Sequence, residues 1–348
     1  MTDRQTILQA LSTIPLLKPH QIEDVTIKDT GTIGIILSLP PIDPNLRDAI
    51  VQQCKAKVMP LEGVKDVWVK IGVALPKAEE KPGGVARVKH IIAVSSGKGG
   101  VGKTSVAVNL AVALAEMGYQ VGLMDADIYG PNVPLMLGMQ DASLWVERDE
   151  QGQEVVEPAF NYGVKMISMA FLIDRDQPVM WRGPMLDGMV KKFLHQAKWG
   201  ELDFLLVDMP PGTGDVQISL AQSVPLTGAI VVTTPQTVAL LDARKGLRMF
   251  QNLRVPILGI VENMSYFVPP DLPDRQYDIF GSGGGSKTAQ ELGIPLLGCI
   301  PLEMQLRESS DKGVPMVLAQ PQSASAQAIK QVAQALCGKV CADREMAK

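Results

Sequence analysis

From Val88 onward, short apolar runs alternate with helical stretches: HIIAVSS, then VAVNLAVALAEMG, then QVGLMDAD, and later FLLVDMPP, GAIVVTTP, ILGIVENM and PLLGCIP. Each run ends in turn or polar residues, which is the texture of strands buried on both faces of a parallel sheet. Strands alternating with helices predict an α/β domain with a doubly wound, mostly parallel sheet and ligands at the carboxyl ends of its strands. Residues 1–76 read differently. A helix from Arg4 to Leu11, a strand from Gly34 to Leu39, a helix from Asn45 to Val58 and a strand from Val64 to Ile71 predict a small α+β domain. Between the two, PKAEEKPGGVAR combines proline, glycine and charge with almost no large apolar residue. Residues 77–87 are therefore expected to be a solvated linker, with the larger domain spanning 88–348.

Composition narrows the function. At 348 residues and 46% hydrophobic, the chain has material for two cores. Lys plus Arg total 33 against 37 for Asp plus Glu, a net charge of -4, so neither nucleic acid nor an anionic membrane is an expected partner. No stretch gives about 18 uninterrupted apolar residues and the N-terminus lacks a leader pattern, which predicts a cytoplasmic protein. Four cysteines, Cys54, Cys299, Cys337 and Cys341, are too scattered for a disulfide framework, and His20, His90 and His195 lack metal-ligand spacing.

The strongest signal is IIAVSSGKGGVGKTSVAVNL. Gly97, Gly102, Lys103 and Thr104 match G-x-x-x-x-G-K-[ST] after a predicted strand and before a predicted helix. Such a loop, here Gly97, Lys98, Gly99, Gly100, Val101, Gly102, Lys103 and Thr104, brings backbone N–H groups and a helix N-terminus to phosphate oxygens. Lys103 can bridge the β- and γ-phosphates, and the Thr104 hydroxyl can bind Mg²⁺. Lys98 adds a second cation inside the loop, or is a solvated loop lysine. Asp125 and Asp127 in MDADIYGP, and Asp208 in LLVDMPPGTGD, stand at predicted strand ends. There, carboxylates can hold Mg²⁺ or orient an attacking water, although a lone aspartate in such a place more often caps a helix.

GKGGVGKT resembles the deviant phosphate loop of the nitrogenase iron protein, MinD and ParA class, and the resemblance implies that Lys98 reaches across a homodimer to the partner's nucleotide. With DADIYGP, VDMPPGTGD and ENMSYF in order, residues 88–335 resemble the Mrp/Nbp35 (ApbC) family of iron-sulfur cluster carrier ATPases. TIKDTGTIGIILSLPP and VKDVWVKI look like the MIP18-type domain (domain of unknown function 59) that often precedes it. The resemblance implies Mg-dependent ATP hydrolysis by a homodimer, a [4Fe-4S] cluster, and transfer of that cluster to apo iron-sulfur proteins together with assembly factors. It implies that Asp127 orients or activates water, that Asp208 acts on the Mg²⁺ side, and that Asn263 sits beside the adenine. Asn263 read by itself could also end its strand in an Asx turn.

The family pattern breaks in one place that matters. Members carry Cys-Pro-x-Cys shortly after ENMS-[YF], whereas this chain reads VPPDL, so Pro269 and Leu272 occupy the cysteine positions. In the N-terminal domain Ile42 falls about where a family cysteine stands. Cys54 and Cys299 are expected to be packed thiols. Cys337 and Cys341, four apart on a predicted terminal helix, either offer four thiolates in a dimer or pack beside the stripe Ile329, Val332, Leu336 and Val340. The readings left open are a carrier, a nucleotide-switched scaffold that holds no cluster, and a MinD- or ParA-like positioning ATPase.

Overall fold

The computed structural model describes residues 4–15, 17, 22–27, 31–39, 44–73, 84–127, 130–142, 145–148, 154–172, 183–272 and 274–345. His20, Ile42 and linker residues 77–83 lie outside them. The chain divides into two compact units, residues 1–81 and 82–348.

In the first unit, α1 (Arg4–Ser12), β1 (Ile22–Ile27), β2 (Thr32–Leu39), α2 (Pro44–Val58) and β3 (Asp66–Val73) follow in order. β2 pairs antiparallel with β1 and parallel with β3. Alternation along TIGIILSL turns Ile33, Ile35 and Leu37 inward, where they bury against Ile7, Leu11, Cys54 and Val58. β1 was not legible in the sequence, because IEDVTI is short and carries two carboxylates.

The second unit runs β4 (Val88–Ser96), α3 (Lys103–Glu116), β5 (Val121–Asp125), α4 (Val133–Met136), β6 (Trp145–Arg148), β7 (Glu154–Glu157), β8 (Ala159–Asn161), β9 (Val164–Ser168), α5 (Gly183–His195) and β10 (Leu202–Asp208). It continues with α6 (Asp215–Ser223), β11 (Gly228–Thr233), α7 (Thr237–Asn252), β12 (Ile257–Phe267), α8 (Gly284–Leu292), β13 (Leu296–Leu302), α9 (Met304–Asp311), α10 (Met316–Ala319) and α11 (Ala324–Glu345). Eight strands form one sheet in the order β13-β12-β11-β4-β10-β5-β9-β8. All its pairings are parallel except that of the edge strand β8.

Helices cover both faces, as the apolar runs predict. Ile92, Val94, Leu206 and Val232 pack with α3 and α11 on one side, while Ala93, Leu205, Val207 and Val231 pack with α5, α6 and α7 on the other. Removing each such Leu or Val side chain from water contributes about 1.5–3 kcal/mol. Trp199, fully buried, spends its indole N–H on Phe193 O at 2.9 Å.

The linker is shorter than its composition suggests. Residues Gly84–Arg87 form a 3₁₀ turn on the second unit, with Gly84 N donating to Ala197 O at 3.0 Å. Gly84 has φ 65°, and a Cβ there would lie 2.3 Å from Leu194 O. Glycine in this stretch therefore serves close packing rather than flexibility. Among the described residues no helix is long and apolar enough to cross a membrane.

Candidate functional site

β4 runs out at Ser96, and the chain turns through 97–102 into α3. Gly100 (φ 80°) and Gly102 (φ 78°) take left-handed backbone that residues with a Cβ hold only at a cost. A Cβ on Gly97 would lie 2.2 Å from Asp242 C, so the loop is seated directly on the α7 backbone. This geometry leaves the start of α3 open to a cavity of about 370 Å³, lined by Lys98, Gly100, Lys103, Thr104, Asp127 and Asn132 among others. No hydrogen bond or ion pair engages the half-buried Lys98 side chain among the described residues.

Sheet order brings the acids together. β10 lies between β4 and β5, with Asp208 in register with both Val94 and Asp125. Lys103, 5% exposed, donates to Asp208 Oδ1 at 2.6 Å and lies 3.6 Å from Asp127 Oδ2. Thr104 Oγ1 donates to Asp208 Oδ2 at 2.8 Å. Asp125 accepts from Ser168 Oγ at 2.8 Å, Asp127 N at 3.2 Å and Val133 N at 3.3 Å. These bonds tie Asp127, Val133 and Ser168 to the end of β5. Ser168 belongs to no motif and only the β5–β9 register, Asp125 opposite Ser168, reveals it.

One buried cation thus faces three enclosed carboxylates. Burial, aided by the Asp208 charge, raises the Asp125 pKa to about 8. Burial also raises Asp208, against the opposing pull of Lys103. Asp127 is 7% exposed, and its Oδ1 finds no hydrogen-bond partner among the described residues. A buried acceptor without a donor is costly, and the surplus of negative charge gives the same message: the cavity suits a cation and an ordered water. No group of three or more His, Cys, Asp or Glu side chains among the described residues could cage a metal. Magnesium suits this arrangement, since it is commonly held by one or two protein groups together with phosphate oxygens and water.

Asn263 contacts the phosphate loop directly. It is 3% exposed, and its Nδ2 donates to Val101 O at 2.9 Å, bracing the phosphate loop from behind. A Cβ on Gly102 would meet that Nδ2 at 2.2 Å. Contact with a base is then left to Oδ1 or the second amide hydrogen.

Cys54 is fully buried in the first unit, where burial pushes its pKa to about 11. Cys299 is half-buried on β13, its thiol raised by burial and then by Glu262. Cys337 is 7% exposed within the α3–α11 core, where α11 docks through the stripe containing Val332, Leu336 and Val340. The side chain of Cys341 lies outside the described residues. The VPPDL loop is closed at its base by reciprocal Phe267–Tyr277 backbone bonds of 2.9 and 2.8 Å, and Leu272 N donates to Pro269 O at 3.1 Å. Pro269 and Leu272 therefore stand across one tight turn, with Leu272 exposed.

Comparison with known proteins agrees with this geometry. The family described as NUBPL iron-transfer P-loop NTPase matches residues 87–337. An iron-sulfur cluster carrier protein of Synechocystis sp. is 59% identical over 327 residues, 93% of this chain and 92% of the relative. The solved nucleotide-binding protein of Archaeoglobus fulgidus, in complex with ADP, is 35% identical with a TM-score of 0.60, covering 69% of this chain and 91% of its own. The septum site-determining protein MinD of Pyrococcus horikoshii, complexed with Mg-ADP, is 27% identical with a TM-score of 0.53, covering 70% and 94%.

Proposed function

This chain belongs to the NUBPL iron-transfer P-loop NTPase family, and from that premise we propose that it is an iron-sulfur cluster carrier whose cycle is driven by Mg-dependent ATP hydrolysis. The observation that carries the ATPase part is the Lys103–Thr104–Asp208 network beside the orphaned Asp127 Oδ1. The backbone N–H groups of 97–104 and the start of α3 bind the phosphates, and Lys103 moves onto the β- and γ-phosphate oxygens. Thr104 and Asp208 are the groups that hold Mg²⁺, which supplies charge neutralisation on the phosphates. Asp127 Oδ1 accepts a hydrogen from the attacking water, whose oxygen bonds the γ-phosphorus as the bond to the β–γ bridging oxygen breaks, giving ADP and phosphate.

The functional unit we read is a cytoplasmic homodimer. Lys98, without a partner on its own chain among the described residues, serves the partner's nucleotide, and apo iron-sulfur proteins receive the cluster. Asn263 keeps the loop in its phosphate-binding form. The N-terminal unit is read as the MIP18-type domain. Phosphate release from ATP by the pure protein, present with Mg²⁺ and abolished by EDTA and by Asp127→Ala, tests the ATPase. A protein that binds ATP yet never hydrolyses it sinks that part.

A second reading has its own support. With Pro269 and Leu272 at the ligand positions of the resembled family and Cys54 and Cys337 buried, the chain is also suited to be a nucleotide-switched scaffold that holds no cluster. Anaerobic reconstitution with iron and sulfide separates the two. A cluster that an apo-acceptor takes up favours the carrier, and a wild type that never binds iron favours the scaffold.

A further inference from the structure

Two consecutive residues of β12 hold two glycine-led helix starts. Asn263 braces the phosphate loop at Val101 O, while the preceding Glu262, 2% exposed, accepts the N–H of Gly285 in the first turn of α8. Successive side chains on a strand point to opposite faces, so one strand end grips α3 on one side and α8 on the other. Both sites need glycine. A Cβ on Gly102 would lie 2.2 Å from Asn263 Nδ2, and one on Gly285 would lie 2.7 Å from Glu262 Oε2. A carboxylate suits the second place because the helix N-terminus carries partial positive charge.

The strand changes character just beyond this pair. Met264 takes φ 53°, the β13 register slips between Asn263 and Phe267, and Ser265 Oγ donates back to Glu262 O at 2.9 Å. A residue with a Cβ holds such backbone only where its surroundings impose it. The two glycine segments also share a neighbour. A Cβ on Gly97 would strike the α7 backbone at Asp242, and one on Gly284 would lie 2.7 Å from Pro235 O just before α7. Phe280, Gly284, Arg244, Arg248 and Lys287 line a groove of about 850 Å³ between α7 and α8, remote in sequence from the phosphate loop.

We propose that Glu262 is a positioning residue that couples nucleotide occupancy of the phosphate loop to the glycine segment 281–285 and the groove it borders. The proposal rests on the nucleotide-binding reading of residues 97–104. Phosphates drawing on the loop N–H groups load the Val101–Asn263 bond, and Glu262 carries the displacement of the strand end to Gly285. The groove then differs between loaded and empty states, as a carrier needs if partner contact is to follow nucleotide state.

Hydrogen–deuterium exchange on the full chain, with Mg²⁺ and a non-hydrolysable ATP analogue, tests this. In the wild type, protection is expected at 97–104 and also at 281–288. In Glu262→Ala, exchange at 281–288 speeds up about tenfold and ceases to respond to nucleotide, while 97–104 remains protected and analogue affinity stays within about twofold. Glu262→Gln, whose amide oxygen accepts the same N–H, restores the response. Should the alanine variant not fold, Glu262→Asp, one methylene too short to reach Gly285, gives the same reading. A wild-type response at 281–288 in those variants overturns the proposal, as does a wild type protected at 97–104 alone. A wild type unprotected at 97–104 overturns the nucleotide reading and this proposal with it.

Discussion

Lys103 Nζ stands 2.6 Å from Asp208 Oδ1 although 105 residues separate them in the chain. The pair is enclosed, at 5% and 0% side-chain exposure, and it is the only ion pair of that depth among the described residues. Its worth lies in what happens when one partner is removed. Lys103→Ala leaves Asp125, Asp127 and Asp208 without their cation, and breaking a buried pair costs about 3–5 kcal/mol. ATP binding should be lost, and the denaturant midpoint should fall with an unchanged slope. Denaturation monitored by circular dichroism, paired with calorimetric ATP titration, checks both.

Asp125 dictates a pH trend. Its folded pKa, about 8, lies above the ordinary aspartate value, so the folded state holds its proton longer than the unfolded chain does. That contribution is fully present below about pH 4 and is lost as pH rises toward 8. Without nucleotide, this group alone should lower stability between those values by on the order of 1 kcal/mol per pH unit. Asp125→Asn should flatten the trend while lowering stability at every pH, because its NH₂ must face a backbone N–H that a carboxylate oxygen now accepts. Thermal melts across that range give the answer, and a variant with the wild-type slope would sink the assignment.

Gly102→Ala should be more damaging than its size suggests. The new methyl would enter the space of Asn263 Nδ2, 2.2 Å away, at a φ of 78°. Strain of this kind costs about 1–3 kcal/mol, and the loop would lose its phosphate-binding form. Asn263→Ala, which vacates that space but also removes the brace, should weaken ATP binding about tenfold. Combining the two should be less harmful than the sum, because the clash disappears. A double-mutant cycle on ATP affinity reads that coupling directly.

Pro269→Cys with Leu272→Cys rebuilds Cys-Pro-Asp-Cys around the existing Pro270 and Asp271. The two positions already face each other across a turn closed by Leu272 N and Pro269 O. After anaerobic reconstitution, the double variant should show more bound iron and sulfide per chain, and stronger visible absorbance, than the wild type. Equal loading of the two proteins would mean that this turn does not set cluster binding.

Much of the site was legible in order along the chain, because a phosphate loop is a local object. GKGGVGKT needs only a strand before it and a helix after it, and β4 and α3 supply them. The buried strands were equally legible, since their apolar runs leave little alternative to a sheet covered on both faces. Weak patterns were not: β1, and the β6–β7 pair formed from WVER and EVVE, are short and charged. The seat of Gly84–Arg87 on the larger unit was hidden by a composition that looks like linker.

By itself, then, the sequence determined which groups are available for the chemistry: the glycine loop, Lys103, Thr104, the strand-end acids, and the absence of cysteine at 269 and 272. The tertiary structure decided how those groups share charge and space. Strand order put β10 between β4 and β5, so that one lysine serves several carboxylates. Helix docking turned Cys337 into the core, and β12 reached both glycine loops from one strand end. Local pattern follows from backbone preferences and burial of single faces. Pairings between residues more than 100 positions apart, such as Lys103 with Asp208 and Val101 with Asn263, follow only from how the sheet is assembled.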